Sequence, residues 1–447
     1  MLCSLLRRNT TVEYLLRYTI GLGLIKGIDT LKEGRDVLLR MMSTLKASCL
    51  LLDHNNNDQF FDVYDLTYIV AKSMASKDKQ VFALKGDDFL TDWPNEESMK
   101  KCNKICLQYP TLNRLPDQLN CPQLSLFLLF SKDLSLTFSD DFFKKTTNLK
   151  LNSLEMLSLL ESDIRFLPKE IGQLVKLKLL DGFYSMGTKQ CHSCGLHALS
   201  RLSTLEVQIP DDKAAPHDFF QELQKLERYK IFIGNEWKWE RFRSYRYSRT
   251  LKLKLNTGMH DLDLGIKKLL KKTEDLHLDE LKGVKIALRE LIDEESISQL
   301  KNLHIQNGLD TEYIINDECE FPQLQSLTLH DLPKLISFCP QHETGATSSL
   351  PQHELPLFNE KISFLYLENL WLKSINVTRV WHNQLSMHLT DFEITGCYCL
   401  REIIFMEEIE EETQAAITLS LFPQLMSLKL KDLQHLTIKF KLLNFQP

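Results

Sequence analysis

The sequence predicts an α/β solenoid, in which short parallel strands stack along one face, preceded by a small helical segment. Three observations lead to this prediction. A pattern of apolar residues recurs at a nearly constant spacing along the chain. The length of 447 residues exceeds the size at which a single globular core stops growing, which favours a repeat array or two folding units. The hydrophobic fraction of 43% is enough for a packed interior.

The repeat has the form L-x-x-L-x-L, and its middle apolar residue serves as an index. The clear copies have the index residues Leu157, Leu205, Tyr229, Leu303, Leu327, Leu370, Phe392 and Leu428. Weaker copies at Leu180, Leu251 and Leu276 fill the gaps, so that successive indices from Leu157 to Leu327 are 22 to 27 residues apart. This is the period of leucine-rich repeats, in which the x-L-x-L segment is a strand with alternate side chains directed inward.

The spacing is irregular at three places. A weak copy at Leu149 lies only 8 residues before Leu157, which indicates a fused or deleted repeat. The steps that begin at Leu327 and Phe392 are too long for one turn of a solenoid, so they are expected to hold loops or degenerate repeats. We therefore expect an irregular solenoid, with polar excursions in the two long steps.

Polar and sulfur-containing residues are expected to serve the structure. Asn307 and Cys397 follow two of the strands, where their side chains would satisfy backbone groups at the turn. The eleven cysteines include Cys49 and Cys397 at apolar positions, where a reduced thiol behaves as a small hydrophobic group. The CxxC pair at 191–194 has no second pair at a suitable spacing, and we predict no metal site.

Charge and hydropathy narrow the classes of function. The formal charge is −6 and the pI is about 6.1, so no global basic field points to nucleic acid. The basic stretch 267–272 and the acidic stretch 407–412 are interpreted as solvated faces. Arginines interrupt the N-terminal region where a signal peptide needs an apolar core, and no apolar run is long enough to span a membrane. We expect a soluble, cytoplasmic protein.

Residues 1–95 lack the repeat and are predicted to form a small helical domain, followed by the repeat domain over 96–447. Thr30 and Glu33 form a capping box that starts one helix. Its apolar face is predicted to contain Leu31, Leu38, Met41, Leu45 and Cys49. Asp65 is placed as the N-cap of a second helix. The apolar stripe of that helix is predicted to contain Leu66, Ile69, Val70 and Met74.

Several segments carry a resemblance to a known family. They are LCSL at 2–5, EYLLRY at 13–18, GLGL at 21–24, LLLD at 50–53, FDVYD at 61–65, YKIFIG at 229–234 and LHLDELKGV at 276–284. Together they resemble the end of the nucleotide-binding domain and the repeat region of plant disease-resistance proteins. The match is to the coiled-coil class of nucleotide-binding leucine-rich-repeat immune receptors. The resemblance implies that residues 1–95 are a winged-helix remnant and that the chain acts in defence.

The resemblance also implies where a nucleotide would be sensed. The family's Met-His-Asp motif falls on Val63, Tyr64 and Asp65, so only the aspartate is retained. Tyrosine does not change charge near neutral pH as histidine does. The chain contains no G-x-x-x-x-G-K-[ST] loop to hold phosphates, and the family's loop would lie before Met1. We therefore expect no cofactor in this chain, although the intact family binds ADP or ATP. Asp65 is either a plain N-cap or a remnant nucleotide contact.

A second candidate site is an aromatic and basic cluster of Trp237, Trp239, Arg241 and Arg243. Such residues favour interface hot spots, although an amphipathic loop packed on the solenoid would have the same composition. The leading hypothesis is a non-enzymatic immune-receptor module. It would recognise a protein ligand, such as a pathogen effector or a guarded host protein, or other immune receptors. The alternatives are an ADP/ATP-dependent switch acting within a longer chain or complex, and a repeat adaptor for ubiquitin ligation.

Overall fold

A computed structural model gives the architecture, which divides into two compact units. Unit 1 comprises residues 1–232 and 236–248, and unit 2 comprises residues 233–235 and 249–447. The described residues are 10–12, 15–16, 19, 25, 31–53, 60–75, 80–85, 89–90, 93–108, 111–112, 115–130, 138–139, 141–144, 153–159, 169–182, 198–209, 219–234, 247–254, 262–288, 294–316, 320–340, 355–359, 362–382, 388–405 and 422–436.

Unit 1 begins with a small α+β segment. Its elements are β1 (Thr10–Thr11), α1 (Leu31–Ala47), β2 (Leu51–Asp53), β3 (Phe60–Val63) and α2 (Asp65–Ala75). The central strand β3 pairs in antiparallel fashion with both β1 and β2. Helix α1 begins directly after Thr30, as the capping box predicted, although Thr30 itself lies outside the described residues. Whether this segment is a winged-helix remnant stays a prediction.

The buried face of α1 differs from the predicted face. Leu38 and Leu45 pack toward the core as expected, but the next core residue is Met42, and Met41 is exposed. Leu38, Met42 and Leu45 lie on one side of a helix, because residues three, four and seven positions apart share a face. The helix ends at Ala47, so Cys49 lies beyond it, exposed and with a left-handed φ of 55°. The predicted inclusion of Met41 and Cys49 was wrong.

The predicted core stripe of α2 is exposed. Leu66 has 73% of its surface accessible, and Ile69 and Val70 are also exposed. Periodicity correctly indicates a helix here, but no described side chain covers this side of it. The side chain of Met74 lies outside the described part of the segment. Amphipathic spacing shows which residues are able to pack together, and it does not supply the surface against which they pack.

The remainder of unit 1 is a stack of parallel strands. The elements are β4 (Val81–Lys85), β5 (Phe89–Leu90), α3 (Glu96–Lys101), β6 (Lys104–Gln108), β7 (Thr111–Leu112), β8 (Leu126–Phe130), β9 (Met156–Ser158), a 3-10 helix (Lys169–Gln173), β10 (Leu179–Asp181), β11 (Thr204–Ile209), α4 (Phe219–Glu222), a 3-10 helix (Leu223–Lys225) and β12 (Arg228–Ile233). The sheet follows chain order from β4 through β6 and β8 to β12. The index residue Leu180 pairs with Leu157 on one side and Leu205 on the other, as predicted.

One sequence expectation needs correction in this unit. The parallel sheet begins at β4, before residue 95, and the division into domains at that residue stays a prediction. No compressed step is present in the sheet near residue 150, because Phe127 of β8 pairs directly with Leu157 of β9. The weak copy at Leu149 lies outside the described residues.

Both faces of the sheet are buried in the first repeats. Inward residues such as Phe127 and Leu129 alternate with outward residues, and in β8 every side chain is buried. The outward residues belong to one cluster with the N-terminal segment. From the sheet it contains Cys106, Leu126, Leu128, Phe130, Met156 and Leu179, and from the segment it contains Val12, Leu15, Leu16, Ile25, Leu38, Met42, Leu51, Phe61 and Val63. The N-terminal segment therefore covers the outward face of β6, β8, β9 and β10.

Unit 2 is a second stack of parallel strands. The elements are β13 (Arg249–Lys254), α5 (Leu264–Leu270), β14 (Asp275–Asp279), α6 (Glu294–Gln299), β15 (Asn302–Gln306), β16 (Glu320–Phe321), β17 (Ser326–Leu332), β18 (Pro356–Phe358), β19 (Ser363–Phe364), β20 (Asn369–Ile375), β21 (Arg379–His382), β22 (Asp391–Thr395), β23 (Glu402–Phe405) and β24 (Ser427–Lys431). Its main sheet has the order β13-β14-β15-β17-β20-β22-β24. The solenoid of short parallel strands is thereby confirmed.

The register of the main sheet in unit 2 is the one that the leucine spacing predicted. The index residues pair in the series Leu251, Leu276, Leu303, Leu327, Leu370, Phe392 and Leu428. Neither long step inserts a strand into the main sheet, because β17 pairs directly with β20 and β22 with β24. A second parallel ladder, β18-β21-β23, runs through the same turns. The turns that begin with β17, β20 and β22 thus visit two ladders, and the index side chains Leu327, Leu370 and Phe392 of these turns are buried.

Left-handed residues lie within one residue of the ends of six strands of the main sheet in unit 2. They are Glu280, Asn307, Asp331, Ser374, Gly396 and Asp432, with φ between 50° and 67°. Their amides extend the ladder, since the Asn307 N–H donates to the His330 carbonyl at 3.1 Å and the Gly396 N–H to the Lys431 carbonyl at 3.0 Å. A left-handed residue reverses the backbone direction sharply, so each strand leaves the sheet at the same level.

The two predicted turn residues act differently. The Cys397 thiol is buried and lies 3.7 Å from the carbonyl oxygens of Leu372 and Thr395, so it meets backbone groups as predicted. Burial raises the pKa of this thiol to about 11, which keeps it protonated and able to donate. The Asn307 amide instead donates to the Asp279 carboxylate at 2.6 Å. Asn307 contributes to the turn through its left-handed backbone, which asparagine tolerates better than most residues.

Candidate recognition surface

The outward side chains of the main sheet in unit 2 form a polar surface, which we call the polar face. Its middle row runs in register through Lys252, His277, His304, Thr328, Trp371, Glu393 and Lys429. Strands β15 and β22 show why the row is accessible, since in both strands buried inward residues alternate strictly with half-buried outward residues. Alternation in a strand directs the leucines to one side and the intervening polar residues to the other.

A buried carboxylate organises the first strands of the polar face. Asp275 accepts hydrogen bonds from the Thr250 hydroxyl at 2.8 Å and the Asn302 amide at 2.5 Å, and its other contact is His277 Nε2 at 2.8 Å. Burial would by itself raise the pKa of Asp275. The neighbouring His277 and the hydrogen bonds from His277 and Asn302 instead hold that pKa well below its usual range. The group is therefore a fixed anion that holds three strands in register.

Two histidines stack beside this carboxylate. The rings of His277 and His304 are 5.3 Å apart between centroids and inclined by 21°. Burial lowers the pKa of His277, although the charge of Asp275 opposes the shift. Burial also lowers the pKa of His304, and the adjacent His277 adds to the effect. Both imidazoles are consequently neutral at physiological pH, and the pair presents hydrogen-bonding groups without a net charge.

The C-terminal strands of the polar face are more open. Trp371 is 37% exposed and lies in register between Thr328 and Glu393. The Glu393 carboxylate oxygen Oε1 contacts Lys429 Nζ at 3.0 Å and Lys373 Nζ at 3.5 Å. Burial would raise the pKa of Glu393, but the hydrogen bond from Lys429 and the charges of both lysines lower it. This part of the face offers one aromatic surface and several cationic donors to a binding partner.

The three residues of the predicted nucleotide sensor lie together at the start of α2. Val63 is buried at the end of β3 and pairs with Leu51, and Tyr64 is exposed between the strand and the helix. Asp65 is the first residue of α2, where a carboxylate stabilises the helix terminus electrostatically. The backbone places it within one residue of the predicted N-cap. A nucleotide contact by these residues stays a prediction.

The other predicted cluster, Trp237, Trp239, Arg241 and Arg243, lies outside the described residues, as does the CxxC pair at 191–194. In the part of the chain that the structure describes, no group of three or more histidine, cysteine or acidic residues is arranged to hold a metal ion. Among the described helices, none is both long and apolar enough to cross a membrane.

The repeat predicted that an outward face exists, but the sequence analysis did not single out the residues that form the polar face. The positions between the leucines were expected to face outward. His277, His304 and Trp371 occupy these positions on three strands, at corresponding points of the L-x-L pattern. The available signal was a run of polar residues and one tryptophan at the same repeat position. Their association follows only once the strands are aligned, because His304 is adjacent to His277 through the sheet and distant along the chain.

Comparison with known proteins gives limited information beyond the fold. No protein-family model matches the sequence, and no curated protein does so. One similar solved structure is the crystal structure of the leucine-rich repeat domain of APL1B, with 14% sequence identity and a TM-score of 0.37. The alignment covers 84% of this chain and 91% of that chain. The assignment as a leucine-rich-repeat solenoid rests on this chain's own strand order, register and repeat period.

Proposed function

We propose that the protein is a recognition module that binds another protein through the polar face. The observation that carries the proposal is the register of the middle row. It aligns polar and aromatic side chains from successive strands, while the inward apolar side chains of β14, β15, β17 and β20 are fully buried. The sheet is therefore held from its inner side, and the outward side chains are free to vary with the partner. Repeat solenoids present extended binding surfaces in this way.

We further propose that this recognition serves plant immunity, as the resemblance of the segments at 13–18, 61–65 and 276–284 to coiled-coil-class immune receptors implies. The partner would then be a pathogen effector, a guarded host protein or another receptor. We assign no catalytic role and no cofactor to this chain, and we expect it to act in the cytoplasm. A nucleotide-dependent switch would belong to a longer chain or complex.

The test compares partners of the full chain with partners of two variants. Proteins cross-linked to the tagged chain in infected leaf tissue would be identified, purified and titrated against it. The face variant carries Lys252→Ala and Trp371→Ala, and the control carries Lys285→Ala at an exposed position outside the main sheet. We expect at least one partner to bind the face variant tenfold or more weakly than the wild type and the control. Equal binding of every partner to all three proteins would contradict the proposal.

The immune role and the nucleotide question have their own measurements. Co-expression of the identified partner with the full chain in leaves should change defence-associated cell death, and the face variant should abolish that change.

Isothermal titration of the purified chain with ADP and ATP should give no binding. A micromolar affinity that Asp65→Ala removes would instead establish that Asp65 contacts a nucleotide.

A further inference from the structure

We propose that the C-terminal part of the polar face binds an acidic segment of its protein partner, and that this segment also carries a bulky apolar side chain. The inference rests on the proposed function and adds the chemistry of the partner. The relevant patch, which we call the tryptophan-lysine patch, consists of Trp371, Lys373, Thr395, Lys429 and Lys431. It spans the outward positions of β20, β22 and β24.

The apolar contact is assigned to Trp371. Of the three tryptophans that the structure describes, Trp93 is half-buried, Trp381 is buried in the core and Trp371 is exposed on a strand. Its register neighbour Thr328 is small and buried, so the indole is the exposed side chain of this pair. A rigid aromatic side chain in the middle of a polar face is the kind of residue that dominates binding at protein interfaces.

The charge of the patch selects an acidic segment. Thr395 lies in register between Lys373 and Lys431, which are about 10 Å apart across two strand spacings. Lys429 lies beside them, and Lys373 and Lys429 share one oxygen of Glu393. Lys373 and Lys429 remain 39% and 59% exposed, whereas Glu393 is only 19% exposed. Each ammonium group has three donors, so the two lysines keep donors available for a further carboxylate above Thr395.

Acidic side chains nearby limit the partner to a short acidic segment. Asp391 lies two residues before Glu393 on β22, and Asp432 lies 4.0 Å from Lys431. A long polyanion such as nucleic acid would meet these carboxylates as well as the lysines. A segment with one or two carboxylates over Thr395 would contact the surrounding lysines, and its apolar side chain would contact Trp371.

The test is a selection of random twelve-residue peptides displayed on phage against the full chain. We expect the selected peptides to be enriched in aspartate or glutamate next to an aromatic residue or leucine. Synthesised, fluorescein-labelled copies should bind at least tenfold more weakly to Trp371→Ala and to the double variant Lys373→Gln/Lys431→Gln. The variant Lys285→Gln removes an exposed lysine away from the face and should bind as the wild type does. Circular dichroism would verify that each variant is folded.

Several results would overturn the inference. They are a selection without binders, binders lacking acidic residues, and binding that neither patch variant weakens. Tighter binding of a twenty-nucleotide single-stranded DNA than of the acidic peptides would assign the patch to nucleic acid instead. If the inference fails while a cellular partner still depends on Lys252 and Trp371, the proposed function stands with a different partner chemistry. If no partner depends on the polar face, both fail.

Discussion

The outward face of the sheet differs between the two units, although the inward leucines follow the same repeat. In unit 1 the strand β8 presents Leu126, Leu128 and Phe130 outward, and they are buried beneath the N-terminal segment. In unit 2 the strand β15 presents Asn302, His304 and Gln306 at the corresponding positions, and they are only half-buried. The repeat leucines therefore define the solenoid, and the residues between them decide whether its outer face is core or binding surface.

The outward residues of the two units stabilise the fold by different interactions. Full burial of a leucine side chain stabilises a fold by about 1.5–3 kcal/mol, so the outward apolar residues of unit 1 hold the N-terminal segment on the sheet. The outward residues of unit 2 contribute through hydrogen bonds, each worth about 0.5–1.5 kcal/mol net. We therefore expect substitutions on the outward face of unit 1 to lower the free energy of unfolding. Substitutions on the C-terminal strands of the polar face should instead weaken the binding of a partner.

The largest effect is expected for Leu128→Asp. Leu128 is buried in the cluster that joins the sheet to the N-terminal segment, so an unpaired carboxylate there should reduce the free energy of unfolding by about 3–5 kcal/mol. Trp371→Asp changes the register-equivalent position in unit 2 and should reduce it by less than about 1 kcal/mol. Urea unfolding monitored by circular dichroism measures both values. Similar losses in the two variants would show that the two faces are equivalent.

A smaller effect is expected for Asp275→Ala, which tests whether part of the polar face is structural. The substitution leaves the Thr250 hydroxyl and the Asn302 amide without their shared acceptor and should reduce the free energy of unfolding by about 1–3 kcal/mol. Asp391→Ala removes a half-buried carboxylate from β22, at the repeat position that corresponds to Asp275. It should change the free energy of unfolding by about 0.5 kcal/mol. The midpoints of urea unfolding would compare the two variants. Equal effects would mean that Asp275 does not organise the face.

The stacked histidines predict a dependence of stability on pH. His277 and His304 have pKa values lowered by burial, so the unfolded chain binds more protons than the folded chain just below pH 6.5. The free energy of unfolding should fall as the pH decreases from 7 to 5, by at most about 1.4 kcal/mol per pH unit for each imidazole. Asp275, whose folded pKa is depressed, adds a loss only below about pH 4.

The groups facing the histidines are Asp275, Lys252 and His330, and all remain in the variant that tests this prediction. His304→Asn should reduce the slope of unfolding free energy against pH, while His388→Asn, at an exposed position, should preserve it. Thermal unfolding from pH 5 to 7 measures the slopes. An unchanged slope in His304→Asn would mean that His304 is not the titrating group.

Much of the fold could be predicted from the sequence because the leucine spacing encodes the strand register. Leu303, Leu327 and Leu370 pair as the repeat indicated, even across the long step between the last two. An inward leucine at each turn is required to fill the solenoid, so its position in the sequence and its position in the sheet coincide. The compressed step expected from the pattern near Leu149 does not occur in the described sheet, where Phe127 pairs directly with Leu157.

The outward positions were less predictable, since their environment depends on chain segments distant in sequence. Leu128 is buried because residues such as Leu38 and Phe61 lie in one cluster with it; the unbroken apolar run at 126–130 indicates burial on both faces, but it does not show which segment covers the outer one. The opposite holds for Leu66 of α2, whose helical spacing predicts burial but whose side chain is exposed. The spacing of apolar residues identifies a face, and tertiary packing determines whether that face is covered.

The smallest effect on stability, and the sharpest test of the comparison, is expected for Lys429→Gln. The pair between Lys429 and Glu393 is exposed on the lysine side, so its loss should change the free energy of unfolding by no more than about 0.5 kcal/mol. The matched control is Lys178→Gln in unit 1, which breaks the exposed pair with Glu155 at 2.9 Å and should have an equally small effect on stability. Binding of the acidic peptides should separate the two variants, because only Lys429 belongs to the tryptophan-lysine patch. Fluorescence anisotropy should show weaker binding for Lys429→Gln alone; equal weakening by Lys178→Gln would mean that overall charge, and not the polar face, attracts the peptide.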